Sequence, residues 1–128
     1  SMLRPDQHIK VEVKGSDIYL GSKQATAFSL VLNELVSNAI EHGFRDRTEG
    51  IVEVELDWDG SDIWVRIQDD GAGLPVGFDL KTSRGLGLQI ARTLVEKDLR
   101  GKLALTSNGV GTTAWVLFQR GVALMNKE

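Results

Sequence analysis

From Ser22 to His42 the chain runs for 21 residues without a proline or a glycine, its longest stretch free of both helix-breaking residue types. Within it Leu32, Leu35, Val36, Ala39 and Ile40 recur at helical spacing and make one apolar face. The spacing predicts a helix from about Lys23 to His42, with Ser22 as its N-cap and Gly43 as its C-terminal stop. Glu34, Asn38 and His42 follow one another at four-residue intervals, so they stack along a neighbouring stripe. Such a stripe is commonly just a solvated face. A carboxylate, a carboxamide and an imidazole in line are also able to meet a metal and an anion.

Around this helix the pattern alternates between short strands and turns. His8–Lys14 alternates polar and apolar residues as a half-buried strand does, and Gly15-Ser16-Asp17 signals a turn. Ile18-Tyr19-Leu20 then reads as the hairpin partner of that strand. Beyond the charged loop Phe44–Gly50, residues 51–58 and 63–69 read as two strands joined by the hairpin turn Asp59-Gly60-Ser61-Asp62. Residues 70–83 are glycine-rich and aperiodic, a long loop of the kind that is usually functional. A second helix is predicted from about Gly85 to Lys97, with Leu86, Ile90 and Leu94 on its buried side and Leu88, Ala91 and Val95 beside them. Strands at 102–107 and 112–118, a turn at 108–111 and a frayed tail from Gly121 complete the chain. Strands in antiparallel pairs with few helices predict an α+β fold, a two-layer sandwich with helices on one face of a mixed, mainly antiparallel sheet.

Composition narrows the function classes. A chain of 128 residues, 41% hydrophobic and 26% charged, is expected to form a single domain over residues 1–128 with its core from about 8 to 119. A formal charge of -3 argues against a nucleic-acid partner. The absence of cysteine excludes disulfides and thiolate metal sites and fits a cytoplasmic location. With no apolar run long enough to span a bilayer, no membrane contact is expected of this domain. Ser1-Met2 has the look of a tag remnant, and the chain is expected to be a fragment of a longer protein.

Two glycine-rich segments carry chemistry. Asp69-Asp70-Gly71-Ala72-Gly73 directly follows a predicted strand. A carboxylate there can accept a hydrogen bond from an exocyclic amine such as that of adenine, and Gly71 and Gly73 let the backbone approach a flat ring. The same residues would also suit an ordinary turn, but no strand follows at hairpin distance. Ser83-Arg84-Gly85-Leu86-Gly87-Leu88 opens the second helix, where free backbone N–H groups favour a phosphate, with Arg84 and Lys81 adding charge. No Gly-x-x-x-x-Gly-Lys-Ser/Thr occurs, and the dinucleotide fingerprint fails because Ile90 stands at its third glycine. Asn38 offers an oxygen to a magnesium ion bridging phosphates, and Glu34 stands one turn earlier as a base or water-orienting group.

The order Asn-Glu-Leu-x-x-Asn-Ala-x-x-His, Asp-x-Gly-x-Gly, Gly-x-Gly and Gly-x-Gly-Thr resembles the N, G1, G2 and G3 boxes of the ATP-binding domain of sensor histidine kinases. That domain belongs to the GHKL group with the Bergerat-type fold, shared with DNA gyrase B subunits, mismatch-repair ATPases and heat-shock chaperones. Asn-Glu-Leu-Val-Ser-Asn-Ala-Ile-Glu-His-Gly-Phe looks most like the second histidine-kinase type. The resemblance implies ATP and Mg2+ as cofactors, Asn38 as the magnesium ligand, Glu34 as the catalytic base and His42 facing the phosphates. It implies Asp69 at the adenine beside Gly71 and Gly73, and Lys81, Arg84, Gly85, Leu86 and Gly87 on the phosphate side. Gly111 and Thr112 match the last box, with the threonine near the adenine, and residues 74–84 match the ATP lid. It implies as partners a histidine-bearing dimerisation domain of the same protein and a downstream response regulator. The isolated domain would be a monomer and the intact kinase a dimer. Two departures stand out: Ser83 replaces the first glycine of the usual Gly-x-Gly-x-Gly, and the lid is short, with Phe78 alone to serve as a phenylalanine box. The alternatives are an anti-sigma-factor-type serine kinase and a non-catalytic nucleotide-sensing domain of the same fold.

Overall fold

The computed structural model describes residues 3–83, 85–107 and 110–121. Strand β1 (His8–Gly15) is followed by helix α1 (Ser22–Gly43) and strands β2 (Glu49–Asp59) and β3 (Asp62–Asp69). Helix α2 (Leu86–Thr93) continues into a π turn, Leu94–Asp98, and strands β4 (Lys102–Thr106) and β5 (Thr113–Gln119) close the chain. The strands form one sheet in the order β1-β2-β3-β5-β4. β1 runs parallel to β2, while β2–β3, β3–β5 and β5–β4 are antiparallel. This is the α+β architecture expected, with a mixed and mainly antiparallel sheet.

α1 buries Ala27, Phe28, Val31, Leu35 and Ala39, a row at the three- and four-residue spacing that one helix face requires. They meet the inward residues of the sheet: Val52 and Val54 of β2, Ile63, Val65 and Ile67 of β3, and Val116 and Phe118 of β5. The Phe28 and Phe118 rings stand 5.2 Å apart, tilted at 51°. Burying a side chain of this size is worth about 1.5–3 kcal/mol. On the opposite, wetter face, Arg66 Nη2 lies 2.8 Å from Glu55 Oε1.

Four expectations are corrected. Ile18-Tyr19-Leu20 is not a strand, and β1 does not form a hairpin with it. β1 instead pairs with β2 over eight residues, from His8↔Glu49 to Gly15↔Leu56, with α1 as the crossover that a parallel pair needs. Three residues offer too short a ladder to compete with eight. Ile18 and Leu20 pack against the core, while Tyr19 is exposed. At the helix start, Gly21 takes the N-cap position and Ser22 is the first helical residue, its carbonyl accepting the Thr26 hydroxyl at 2.9 Å. Gly43 is the last residue of α1 rather than its stop; Phe44 is the C-cap.

The fourth correction concerns α2, whose core side is Leu88 and Ala91, continued by Val95 and Leu99. Leu86 is 75% and Ile90 40% exposed, and Leu94 is half-buried. Apolar residues lie nearly all round this segment, so periodicity could not choose the face. The π turn then places an extra residue in the last turn, with Leu99 N–H donating to Leu94 O and Gly101 N–H to Val95 O. The predicted turn residues Asn108 and Gly109 and the tail 122–128 lie outside the described residues.

Candidate functional site

Where β3 ends, its last side chain turns into the interior. Asp69 is 5% exposed, and its Oδ1 accepts the backbone N–H of Gly71 at 2.9 Å and of Thr112 at 3.3 Å. Both bonds fall on one oxygen; among the described residues Oδ2 accepts none and is open to a donor from outside. Burial pushes the Asp69 carboxyl above its ordinary value of 3.8, against the opposing pull of the Gly71 and Thr112 amides. The neighbouring Asp70 adds to the rise and Arg47 opposes it.

The backbone around Asp69 is tightly folded on itself. Asp69 N–H donates to Thr112 O at 3.0 Å, tying β3 to the residue before β5. Gly111, at φ +69°, sits so close to the Asp69 carbonyl that no side chain fits. Gly73, at φ +83°, faces the Ser107 hydroxyl, which donates to Gly111 O at 2.6 Å and accepts Leu74 N–H at 3.3 Å. Gly43 O accepts Ala72 N–H at 2.9 Å, so the end of α1 and the loop after β3 are one unit.

A pocket of about 430 Å³ opens above Asp69. Asn38, His42, Asp69, Gly73, Gly85 and Thr112 all line it, brought together from two helices, a strand end and two loops. Ile67, Leu35 and Ala114 supply apolar wall near Asp69, suited to a flat ring. The start of α2 forms another wall: Gly85 is its N-cap with no side-chain cap bond, which leaves first-turn N–H groups for a ligand. Gln89 donates to Leu80 O at 3.0 Å and to Ser83 O at 2.8 Å, latching the return of the 70–85 loop onto α2.

Other expected site residues lie elsewhere. Glu34 is half-buried and not a pocket wall; its Oε1 lies against Gly87, where a Cβ would collide with it. Gly71 is buried behind the wall, donating to Asp69. Lys81 is exposed, its backbone N–H held by Asp79 Oδ1 at 2.9 Å, and Leu86 faces solvent. Arg84 lies outside the described residues.

Sequence reasoning missed Arg45, Arg47 and Gln7. The two arginines line the pocket from a loop that reads only as charged. Gln7, buried, donates to Phe44 O at 2.9 Å and to Arg47 O at 3.0 Å and so shapes that loop. No sequence spacing links position 7 to positions 44 and 47.

A magnesium ion fits this donor set only as a ligand shared with phosphates. Among the described residues no group of three or more His, Asp or Glu side chains is placed to hold a metal. Asn38, which lines the pocket, suits a cation that keeps most of its shell as phosphate oxygens and water.

Comparison with known proteins bears on these features. Residues 23–121 match the family described as histidine kinase-, DNA gyrase B-, and HSP90-like ATPase. The chain is 43% identical over 113 residues to the sensor histidine kinase PdtaS of Mycolicibacterium smegmatis, covering 88% of this chain and 23% of that protein. It is 33% identical over 105 residues to the blue-light-activated histidine kinase 2 of Erythrobacter litoralis, covering 81% of this chain and 30% of that one. A solved histidine kinase domain from an Erythrobacter litoralis blue-light-activated kinase superposes with a TM-score of 0.80 at 30% identity, over 91% of this chain and 53% of the other. The chain thus spans under a third of the length of these curated relatives.

Proposed function

Since the chain belongs to the histidine kinase-, DNA gyrase B-, and HSP90-like ATPase family, we propose that it binds Mg-ATP in the Asp69 pocket and presents the γ-phosphoryl group to a histidine on a separate domain of the same protein. One observation supports the reading: a buried carboxylate at a strand end, with one oxygen held by two backbone amides and no hydrogen bond to the other among the described residues, in a pocket that the start of α2 also lines.

Asp69 Oδ2 accepts the adenine amine, with Thr112 beside it and the apolar wall of Ile67 and Ala114 against the ring. The phosphates run toward the start of α2, where Gly85 and the free N–H groups meet them. Asn38 would hold a magnesium ion, which would supply neutralisation of phosphate charge. The acceptor imidazole nitrogen attacks the γ-phosphorus as the bond to the bridging β,γ-oxygen breaks, and ADP leaves. Glu34, one turn from Asn38, is the group to take the imidazole proton. In this structure its Oε1 lies against Gly87, outside the pocket lining. The 74–84 loop covers the nucleotide and excludes water. The histidine-bearing domain dimerises the intact kinase, and a response regulator receives the phosphoryl group downstream.

Titration calorimetry with ATP, ADP and adenosine tests the reading. Asp69→Asn replaces an acceptor with a mismatched donor, and all three ligands should lose about 1.5–3 kcal/mol of binding. Unchanged affinity in a folded Asp69→Asn protein would remove Asp69 from the adenine site.

A further inference from the structure

The sheet ends on one side at β1, and among the described residues no strand pairs with its outer edge. That edge is long and regular: β1 keeps register with β2 from His8↔Glu49 to Gly15↔Leu56 without a bulge, and no proline interrupts it. The opposite edge, β4, is only 5 residues long. A long, regular edge is a template for further pairing unless something blunts it. His8 N–H donates to Thr48 O and Ser16 N–H to Leu56 O, so the even-numbered residues of β1 bond toward β2. The backbone N–H and C=O groups of Ile9, Val11 and Val13 therefore point to the open edge.

The side chains of β1 divide between the two faces of the sheet. Val11 and Val13 stand opposite Val52 and Val54, so they share the face that α1 covers. Val52 and Val54 are buried there, but Val11 is 44% and Val13 68% exposed. On the other face stand Lys10, Glu12 and Lys14, with Lys10 Nζ 3.0 Å from Glu12 Oε2. The edge thus carries an uncovered apolar row on one side and alternating charges on the other.

We propose that β1 is a self-association edge, along which two copies of this chain pair antiparallel with Val11 opposite Val11 on the two-fold axis. Only the outward-pointing residues Ile9, Val11 and Val13 can exchange backbone bonds across that axis. Centred on Val11, the pair sets Ile9 opposite Val13 of the second copy and joins the two apolar rows on the α1 side. On the other face Lys10 falls opposite Glu12 of the second copy, at the non-hydrogen-bonded sites where side chains come closest. Centring on Lys10 would set Lys10 against Lys10, and centring on Glu12 would set Glu12 against Glu12 and Lys10 against Lys14. Like charges directly opposite destabilise a strand pair. Centring on Ile9 or Val13 runs one end of the strand past its partner. Charge and length together select the Val11 register. A single strand pair is smaller than a standard interface, so the dimer is weak. None of the residues lining the Asp69 pocket is on β1, and the proposal stands apart from the nucleotide reading.

Sedimentation equilibrium of the 128-residue chain over a concentration series is the first test. A monomer–dimer equilibrium with a dissociation constant below about 1 mM is expected, and a strict monomer up to that concentration would overturn the proposal. As concentration rises, the amides of Ile9, Val11 and Val13 should gain protection from exchange, while those of Lys10, Glu12 and Lys14, already bonded to β2, should not change. An associating chain without that alternation would place the contact elsewhere. Glu12→Lys and Lys10→Glu each set like charges opposite and should weaken the dimer about fivefold or more at low salt. Combining the two restores opposite charges across the axis and should restore association. Unchanged association in the single variants, or no rescue in the double, would overturn the Val11 register. Val11→Pro removes an outward donor and no bond to β2, so it should abolish the dimer while the melting temperature shows the fold kept. A dimer that survives it would not use this edge. Should Val11→Pro fail to fold, the charge variants and their rescue decide.

Discussion

Asp69 is a carboxylate placed where ionisation is costly and a hydrogen-bond acceptor is useful. Desolvation raises its pKa above 3.8 despite two amide donors, so the folded protein holds that proton more tightly than the unfolded chain. Its contribution to stability is therefore fully present below the unfolded value and is lost as pH rises through the folded one. Asp69→Asn does not titrate there. The variant is thus expected to gain melting temperature relative to wild type as pH rises from the ordinary carboxylate range toward neutrality. A constant difference between the two melting curves across that range would show an unshifted carboxyl. The magnesium role proposed for Asn38 has its own test: Asn38→Ala should weaken ATP binding in magnesium and leave magnesium-free binding within about twofold, because the base pocket is separate. Equal losses with and without the metal would take the ion away from Asn38.

At the level of elements, the start of α2 and the loop before it are joined by Gln89. Its carboxamide bonds the carbonyls of Leu80 and Ser83, so the segment that brings Ser83 and Gly85 to the pocket is fastened to the helix that follows. Gln89→Ala removes two bonds of about 1 kcal/mol each from a local latch. Faster amide exchange confined to residues 78–83, with the global melting temperature changed little, is the expected result. Exchange that rises equally in α1 and the sheet would place Gln89 in the global fold instead. Helix α1 was legible because a continuous apolar face at one spacing admits only one buried side. α2 was less so: both the Leu86–Ile90 row and the Leu88–Ala91 row are apolar, and contact with α1 chose the second. The β1 hairpin was misread because alternation shows that a segment is a strand and says nothing about its neighbour.

For the whole molecule, the proposed division between nucleotide and acceptor has a direct consequence. His8 is an exposed strand residue on β1, and His42 borders the pocket itself. The isolated chain with radiolabelled Mg-ATP is expected to bind nucleotide and to acquire almost no acid-labile phosphate, while fusion to a histidine-bearing dimerisation domain should restore it. Robust labelling of the isolated chain would overturn that division of labour. The α+β class, the long helix and the four boxes of polar and glycine residues could be read from the sequence, because spacing along one helix and residues adjacent in a turn are local properties. Tertiary structure alone decided the parallel β1–β2 pair, the buried side of α2, the outward placement of Leu86 and the seat of Glu34 against Gly87. It also decided that Arg45 borders the site while Gln7, 37 residues from Phe44, holds the backbone beneath it. Such contacts depend on which distant segments the shared core brings together, and no local period encodes that.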